Sequence, residues 1–252
     1  MKRVALLAVV VLNLAFATIS HAEFNLGGEK FEGFLHFCGM SRYMTSVGIQ
    51  ISEKPLICQE AMVKHVASEL YGGSWWSESP GNGRDGRDEK DFYVGVVRDL
   101  SNLRLYFQIN YIRLTGIGAM NEFALRVDSL EYPFYWKGSY LLGLERDSPN
   151  SGFLNREGFT KTFLLPLGLN GYEQKISFDV YVGGIIGGAV GIPSGFTHTA
   201  TKVSFPIPLM KNLELTPTFG SQFTFPKYQG VGKGKIAPNN PVWGEVGITF
   251  KF

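Results

Sequence analysis

Seven charged side chains, Arg104, Glu122, Arg126, Lys137, Asp179, Glu214 and Glu245, each hold the polar position of a two-residue alternation whose other positions are apolar. Asp128, Glu145 and Lys202 extend the set. Charges of both signs gathered on one sheet face can line a water-filled lumen and set a weak ion preference, or they can pair off and fill it. The seven are therefore pore-lining candidates. Cys38 and Cys58, the two cysteines of the chain, end one alternating segment and begin the next. In an oxidising compartment a disulfide would close the loop between them, whereas two buried free thiols would leave it open.

Catalytic chemistry finds less support. A lipid-cleaving barrel needs a histidine and a nucleophilic serine with an acidic or amide group to orient the base. His36, His65 and His198 have no serine so placed in the sequence, and each reads better as a lumen or rim residue. No catalytic residue is expected. The run from Ser79 to Asp88 offers Asp85 and Asp88 to Ca²⁺, but its spacing departs from an EF-hand loop, and Arg84 and Arg87 neutralise the carboxylates. A solvated turn is the better reading. Gly183-Gly184 and Gly187-Gly188 suggest a bulge or kink, because no Lys-Ser/Thr follows to make a phosphate loop. Neither a metal nor a cofactor is expected.

The elements that must carry these residues are strands. From Val242 to Phe252 the even positions read Val242, Gly244, Val246, Ile248, Phe250 and Phe252, and the odd ones Trp243, Glu245, Gly247, Thr249 and Lys251. One apolar and one polar face over that length suits a tilted transmembrane strand, and equally a half-buried strand of a soluble sandwich. The same alternation predicts strands over Lys30 to Met40, Leu56 to Val66, Leu70 to Ser77, Glu89 to Arg98, Leu103 to Tyr111 and Asn121 to Leu130. It continues over Tyr135 to Leu144, Thr160 to Leu169, Lys175 to Gly187, Thr199 to Leu209 and Leu213 to Phe225.

The connections separate the two readings. Asp99 to Asn102, Glu131 to Phe134, Asn170 to Gln174 and Met210 to Asn212 are short, while Ile112 to Met120, Glu145 to Phe159, Gly188 to His198 and Pro226 to Pro241 are longer. Short turns alternating with long loops fit an all-β, up-and-down antiparallel transmembrane barrel of about twelve strands with both ends on the periplasmic side. A Greek-key sandwich has no reason to alternate in this way. Aromatic clusters at Tyr132, Phe134, Tyr135 and Trp136, and at Trp75, Trp76, Phe225, Tyr228 and Trp243, are expected to form interfacial girdles.

Composition agrees. Of 252 residues, 44% are apolar, 14% aromatic and 18% charged, with 31 Gly, which excludes both a disordered chain and a cysteine-dense scaffold. Lys2 and Arg3 precede an apolar core from Val4 to Phe16, and Ser20-His21-Ala22 offers small residues for cleavage, so residues 1–22 are expected to be a signal peptide and 23–252 the barrel. Two of the 24 basic residues leave with the leader, so 22 face 22 acidic ones. That balance argues against a nucleic-acid partner.

The chain resembles the small Gram-negative outer-membrane barrels of the porin type, including the TorF-like group. Ser41-Arg42-Tyr43, Ser52-Glu53-Lys54-Pro55, Trp75-Trp76-Ser77, Asp88-Glu89-Lys90-Asp91, Phe205-Pro206-Ile207-Pro208-Leu209, Leu213 to Pro217 and Trp243-Gly244 carry the resemblance. Cys38 and Cys58 are not part of that pattern. The resemblance implies an outer-membrane barrel, a narrow porin-like channel for diffusion of small solutes. The alternatives are a non-conducting structural or surface-interaction barrel and, third, a lipid-modifying enzyme. Its partners would be outer-membrane lipids, small solutes and the barrel assembly machinery, because a terminal Phe252 after alternating apolar residues resembles the signal that machinery reads.

Overall fold

A computed structural model describes residues 24–45, 50–52, 55–78, 88–115, 118–144, 151–165, 174–230 and 240–252, with Ile51 and Val190 by their backbone alone. The expected leader, the Asp85 turn and Glu145 lie outside these residues. The strands are β1 (Phe24–Leu26), β2 (Glu29–Met40), β3 (Tyr43–Met44), β4 (Gln50–Ser52), β5 (Leu56–His65), β6 (Leu70–Glu78), β7 (Glu89–Leu100) and β8 (Leu103–Leu114). They continue with β9 (Gly118–Ser129), β10 (Phe134–Gly143), β11 (Gly152–Leu165), β12 (Gln174–Ile186), β13 (Gly195–Ser204), β14 (Ile207–Met210), β15 (Leu213–Thr224) and β16 (Val242–Lys251).

Twelve of these form the wall: β2, β5 to β13, β15 and β16, each antiparallel to its neighbours. β2 pairs with β16 on one side and β5 on the other, so the sheet closes and leaves no edge in the wall. The seam is reinforced at the C-terminus, where Gly33 and Phe252 exchange both backbone hydrogen bonds at 2.7 and 2.9 Å. Gly33 is required there, because a Cβ would strike the Phe252 ring and the Met62 carbonyl.

Alternation decides the two faces. Phe92, Val94, Phe107, Ile109, Phe123, Val180, Phe219 and Val246 all point outward and are exposed, Phe92 by 61%. An apolar band continuous around the molecule would aggregate in water and is satisfied in lipid. The buried core lies instead inside the barrel. Leu114, Met120, Leu141, Leu154 and Ile185 project inward from the ends of β8 to β12 opposite the chain termini, and Ala189, Ile192 and Tyr228 from two connections pack on them.

Three expectations are corrected. β11 begins at Gly152 rather than Thr160, because its outward positions 155 and 157 carry Asn155 and Glu157, which break the apolar rhythm there. The strand expected over Thr199 to Leu209 is two pieces: β13 ends at Ser204, and β14 resumes after Pro206, which has no N–H to give a ladder. The connection between β8 and β9 holds only 115–117, since both strands run on past the expected ends.

On the side of the termini, Ser101–Asn102 and Lys211–Asn212 are two residues each, but the connection expected to be short at Asn170 to Gln174 spans 166–173, because β11 already ends at Leu165. The first has Ser101 in the left-handed region, φ 54°. Among the aromatics expected in girdles, Tyr132, Phe134 and Trp76 are exposed, but Tyr135, Tyr228 and Trp243 are buried inside. Tyr135 and Trp243 have inward parity on their strands, Tyr228 enters from a connection, and the barrel is wide enough to hold a ring.

Candidate functional site

All seven charged candidates fall on the inward face, and each has a partner of opposite sign or a histidine. Arg104 clasps Asp99 with two bonds of 2.7 and 2.8 Å at the end of the barrel near the termini. Arg126 holds Asp128 in the same bidentate way at 2.5 and 3.0 Å. Lys137 reaches Glu122 at 3.4 Å, and Glu122 also accepts from the Asn110 amide at 2.5 Å. Asp179 accepts from Arg156 at 3.2 Å and from the Tyr135 hydroxyl at 2.9 Å. Glu214 meets Lys251 at 3.1 Å and Glu245 meets His36 at 3.6 Å. Inward-facing charges in a low-dielectric wall are costly unless paired, which accounts for this pattern.

The centre of the lumen wall is a belt that the sequence did not announce. Tyr106 on β8, Arg126 on β9, Tyr135 on β10, Arg156 on β11 and Tyr181 on β12 alternate ring and guanidinium across five strands. The cation-to-ring distances are 5.7, 4.6, 4.9 and 4.1 Å in that order. His198 on β13 ends the belt, edge-on to Tyr181 at 5.8 Å. Each such contact contributes about 0.5–2 kcal/mol, more where water is excluded. Gly158 and Gly183 make room for it, since a Cβ at either would collide with the Tyr135 ring or the His198 ring.

Arg156 escaped notice because it sits in the stretch expected to be a loop. Once β11 begins at Gly152, its parity with the buried Leu154 places it inside.

Two adjoining cavities remain, of about 700 and about 360 Å³. Tyr71, Tyr106, Gln108 and Arg126 line both, so the two lie side by side. The larger extends to Lys64, Glu69 and Arg104 at the end of the barrel near the termini. Tyr71 donates to Gln108 at 2.9 Å and Tyr93 to Glu60 at 2.6 Å, so hydroxyls, amides and carboxylates are held in fixed positions around the space.

At the other end the lumen is occupied by connections that fold inward. Tyr43 packs its ring on Trp75 at 5.1 Å, and Met44 is buried in one cluster with Tyr135, Tyr181, Ala200 and Trp243 of the wall. Burial, reinforced by the nearby Glu89 and Asp91 carboxylates, holds the Tyr43 phenol well above its usual range, so it stays a neutral hydrogen-bond donor. Below this loop Cys38 and Cys58 stand directly opposite on β2 and β5, Cα atoms 5.0 Å apart, with their sulfurs joined. Leu56, Met40, Tyr43 and Trp75 cover them.

No family model matches the chain, and no curated protein matches it. Among solved structures it is similar to the KdgM porin, at 8% identity over 88% of this chain and 99% of that one, with a TM-score of 0.52. It is also similar to the NanC porin, at 8% identity, 86% and 100% coverage and TM-score 0.53. A bacterial polysaccharide outer membrane secretin matches at 11% identity, 87% and 98% coverage and TM-score 0.50. The likeness is one of fold: a closed, antiparallel, twelve-strand barrel of the kind found in bacterial outer-membrane porins.

Proposed function

We propose that the protein is a narrow outer-membrane channel for the diffusion of small polar solutes, its outer mouth being narrowed by inward-folded loops. The observation that carries the reading is the pair of adjoining cavities of about 700 and about 360 Å³, lined largely by tyrosines and charged groups rather than filled by apolar side chains. A twelve-stranded barrel is wider than an eight-stranded one and has room for such a space. Arg104, Glu122, Arg126, Lys137, Asp179, Glu214 and Glu245 are the proposed lining. Single-channel conductance of the mature chain, refolded and inserted in a planar bilayer, tests it: discrete, reproducible steps are expected. Silence from verified folded protein would favour the second reading, a non-conducting barrel whose loops serve at the surface, which the filled outer mouth supports.

Solute class follows from the pairing. The KdgM porin has been seen with oligogalacturonate, a polyanion. In this lumen Arg104, Arg126, Lys137 and Arg156 each contact a carboxylate, so no strip of free positive charge is offered by them. Neutral polar solutes fit better, and the open channel should show a reversal potential near zero in a KCl gradient. Asp128→Asn releases Arg126 over the cavity and is expected to shift that potential toward anion preference. An unchanged potential would remove Arg126 from the conducting path.

The same reading places residues 1–22 as a cleaved leader and 23–252 in the outer membrane, with lipid around the wall and the Phe252 strand as the handle for the assembly machinery. Membership of the TorF-like group is proposed on the residues that carry the resemblance. A Cys38–Cys58 disulfide is proposed to tie β2 to β5 beneath the inward-folded loop. Cross-links closing loops of this size contribute about 2–4 kcal/mol. Cys38→Ser with Cys58→Ser should lower stability by that amount, and wild-type protein should resist thiol alkylation until reduced. Rapid labelling of both thiols without reductant would end the proposal.

A further inference from the structure

We propose that Ser77, Glu89 and Asp91 form a binding site for a hard divalent cation, Ca²⁺ being the best match, at the outer end of the lumen. Ser77 on β6 is the direct cross-strand partner of Glu89 on β7, and Asp91 follows two residues on, so all three project from the same inward face. The Glu89 and Asp91 carboxylates are in hydrogen-bonding contact with one another. Three oxygens there, Ser77 Oγ, Glu89 Oε2 and Asp91 Oδ1, are buried and have no hydrogen-bond partner among the described residues. The hydroxyl is the independent sign: Ser77 is 1% exposed, and a buried hydroxyl left unpaired is costly.

Among the described residues, the surroundings supply no positive charge. Trp75, Ile112 and Leu114 flank the site on β6 and β8, and Tyr43 caps it through a hydrogen bond to Glu89. The other ionisable neighbours are Glu60 and Glu122, both acidic, and Glu122 already has Lys137. Lys90 is on the opposite face, over the Trp76 ring at 5.0 Å. Two carboxylates held side by side in a buried place repel one another, and a divalent cation between them offsets that repulsion. An all-oxygen set with no nitrogen or sulfur selects Ca²⁺ or Mg²⁺ over softer metals, and Ca²⁺ tolerates an irregular shell completed by water. The site differs from the Asp85 turn considered in the sequence, and it stands whether or not the barrel conducts.

The test uses the whole mature barrel refolded in detergent, stripped with chelator. Tb³⁺, a luminescent stand-in for Ca²⁺, should light up on excitation of the adjacent Trp75 and be displaced by Ca²⁺, and Ca²⁺ alone should raise the unfolding temperature in a saturable way. Glu89→Gln, Asp91→Asn and Ser77→Ala should each lose most of both signals, whereas Glu131→Gln, in a turn at the opposite end, should keep them. A wild-type barrel indifferent to both ions overturns the site, as do near-isosteric variants that respond as wild type does. Stabilisation by acid without any response to calcium would put a proton there instead. A response that appears only in Arg84→Gln with Arg87→Gln would assign the counter-charge to those arginines.

Discussion

Ile248→Arg is expected to destabilise the folded barrel by about 2–4 kcal/mol, the cost of a cation on the lipid face near mid-depth. Ile248 lies between Leu215 and Phe37 on neighbouring strands and shares an outward apolar groove with Phe37, Ile57, Trp76 and Val246. Its neighbour in sequence, Thr249, points inward and bonds His36 at 2.7 Å. Thr249→Arg therefore loses one hydrogen bond, about 1 kcal/mol, and can extend its head into the lumen. Urea-dependent folding into lipid vesicles measures both. Equal costs would mean that the outer band does not face lipid, and the transmembrane assignment would fall with it.

The second large effect concerns passage. Tyr43→Ala combined with Met44→Ala should increase single-channel conductance severalfold, because these two side chains pack the first loop into two separate clusters of lumen side chains. Met44 belongs to a buried cluster with residues from β10, β12, β13 and β16. Truncating a buried Met costs about 2–5 kcal/mol if the loop stays in place, so swinging the loop outward becomes competitive. Wall strands are joined by their own ladders and should not depend on the loop, so the circular-dichroism spectrum should be unchanged. Unaltered conductance in a correctly folded variant would mean that the narrowest point lies elsewhere, the Tyr106–Arg126–Tyr135–Arg156–Tyr181 belt being the next place to look.

The two effects draw on different levels of the molecule. Which face Ile248 occupies is a matter of parity, and parity is local: successive strand residues point to opposite sides whatever the partner strand does. That is why the inward set from Arg104 to Glu245 and the wall strands were legible from alternation alone. Where alternation failed, a local cause is visible. Asn155 and Glu157 on the outer face hid the first half of β11, and with it Arg156, while Pro206 cut β13 from β14.

Pairing is a different kind of fact. Alternation places Arg126 inside, but that it lies between the rings of Tyr106 and Tyr135 depends on the stagger of β8 against β9 and β10, which no single strand encodes. Tyr135 and Trp243 look the same in sequence whether they sit in a girdle or in the lumen. Only the closed circumference, with room inside for a ring, decides it. The inward course of Tyr43 and Met44 likewise depends on space left by side chains from the opposite wall. The amino-acid sequence by itself determined the strands, their two faces and the charges turned inward. The tertiary structure alone decided which charges are paired, which aromatics are buried and that the outer mouth is occupied, because those contacts join residues far apart in the chain and exist only once the barrel has closed.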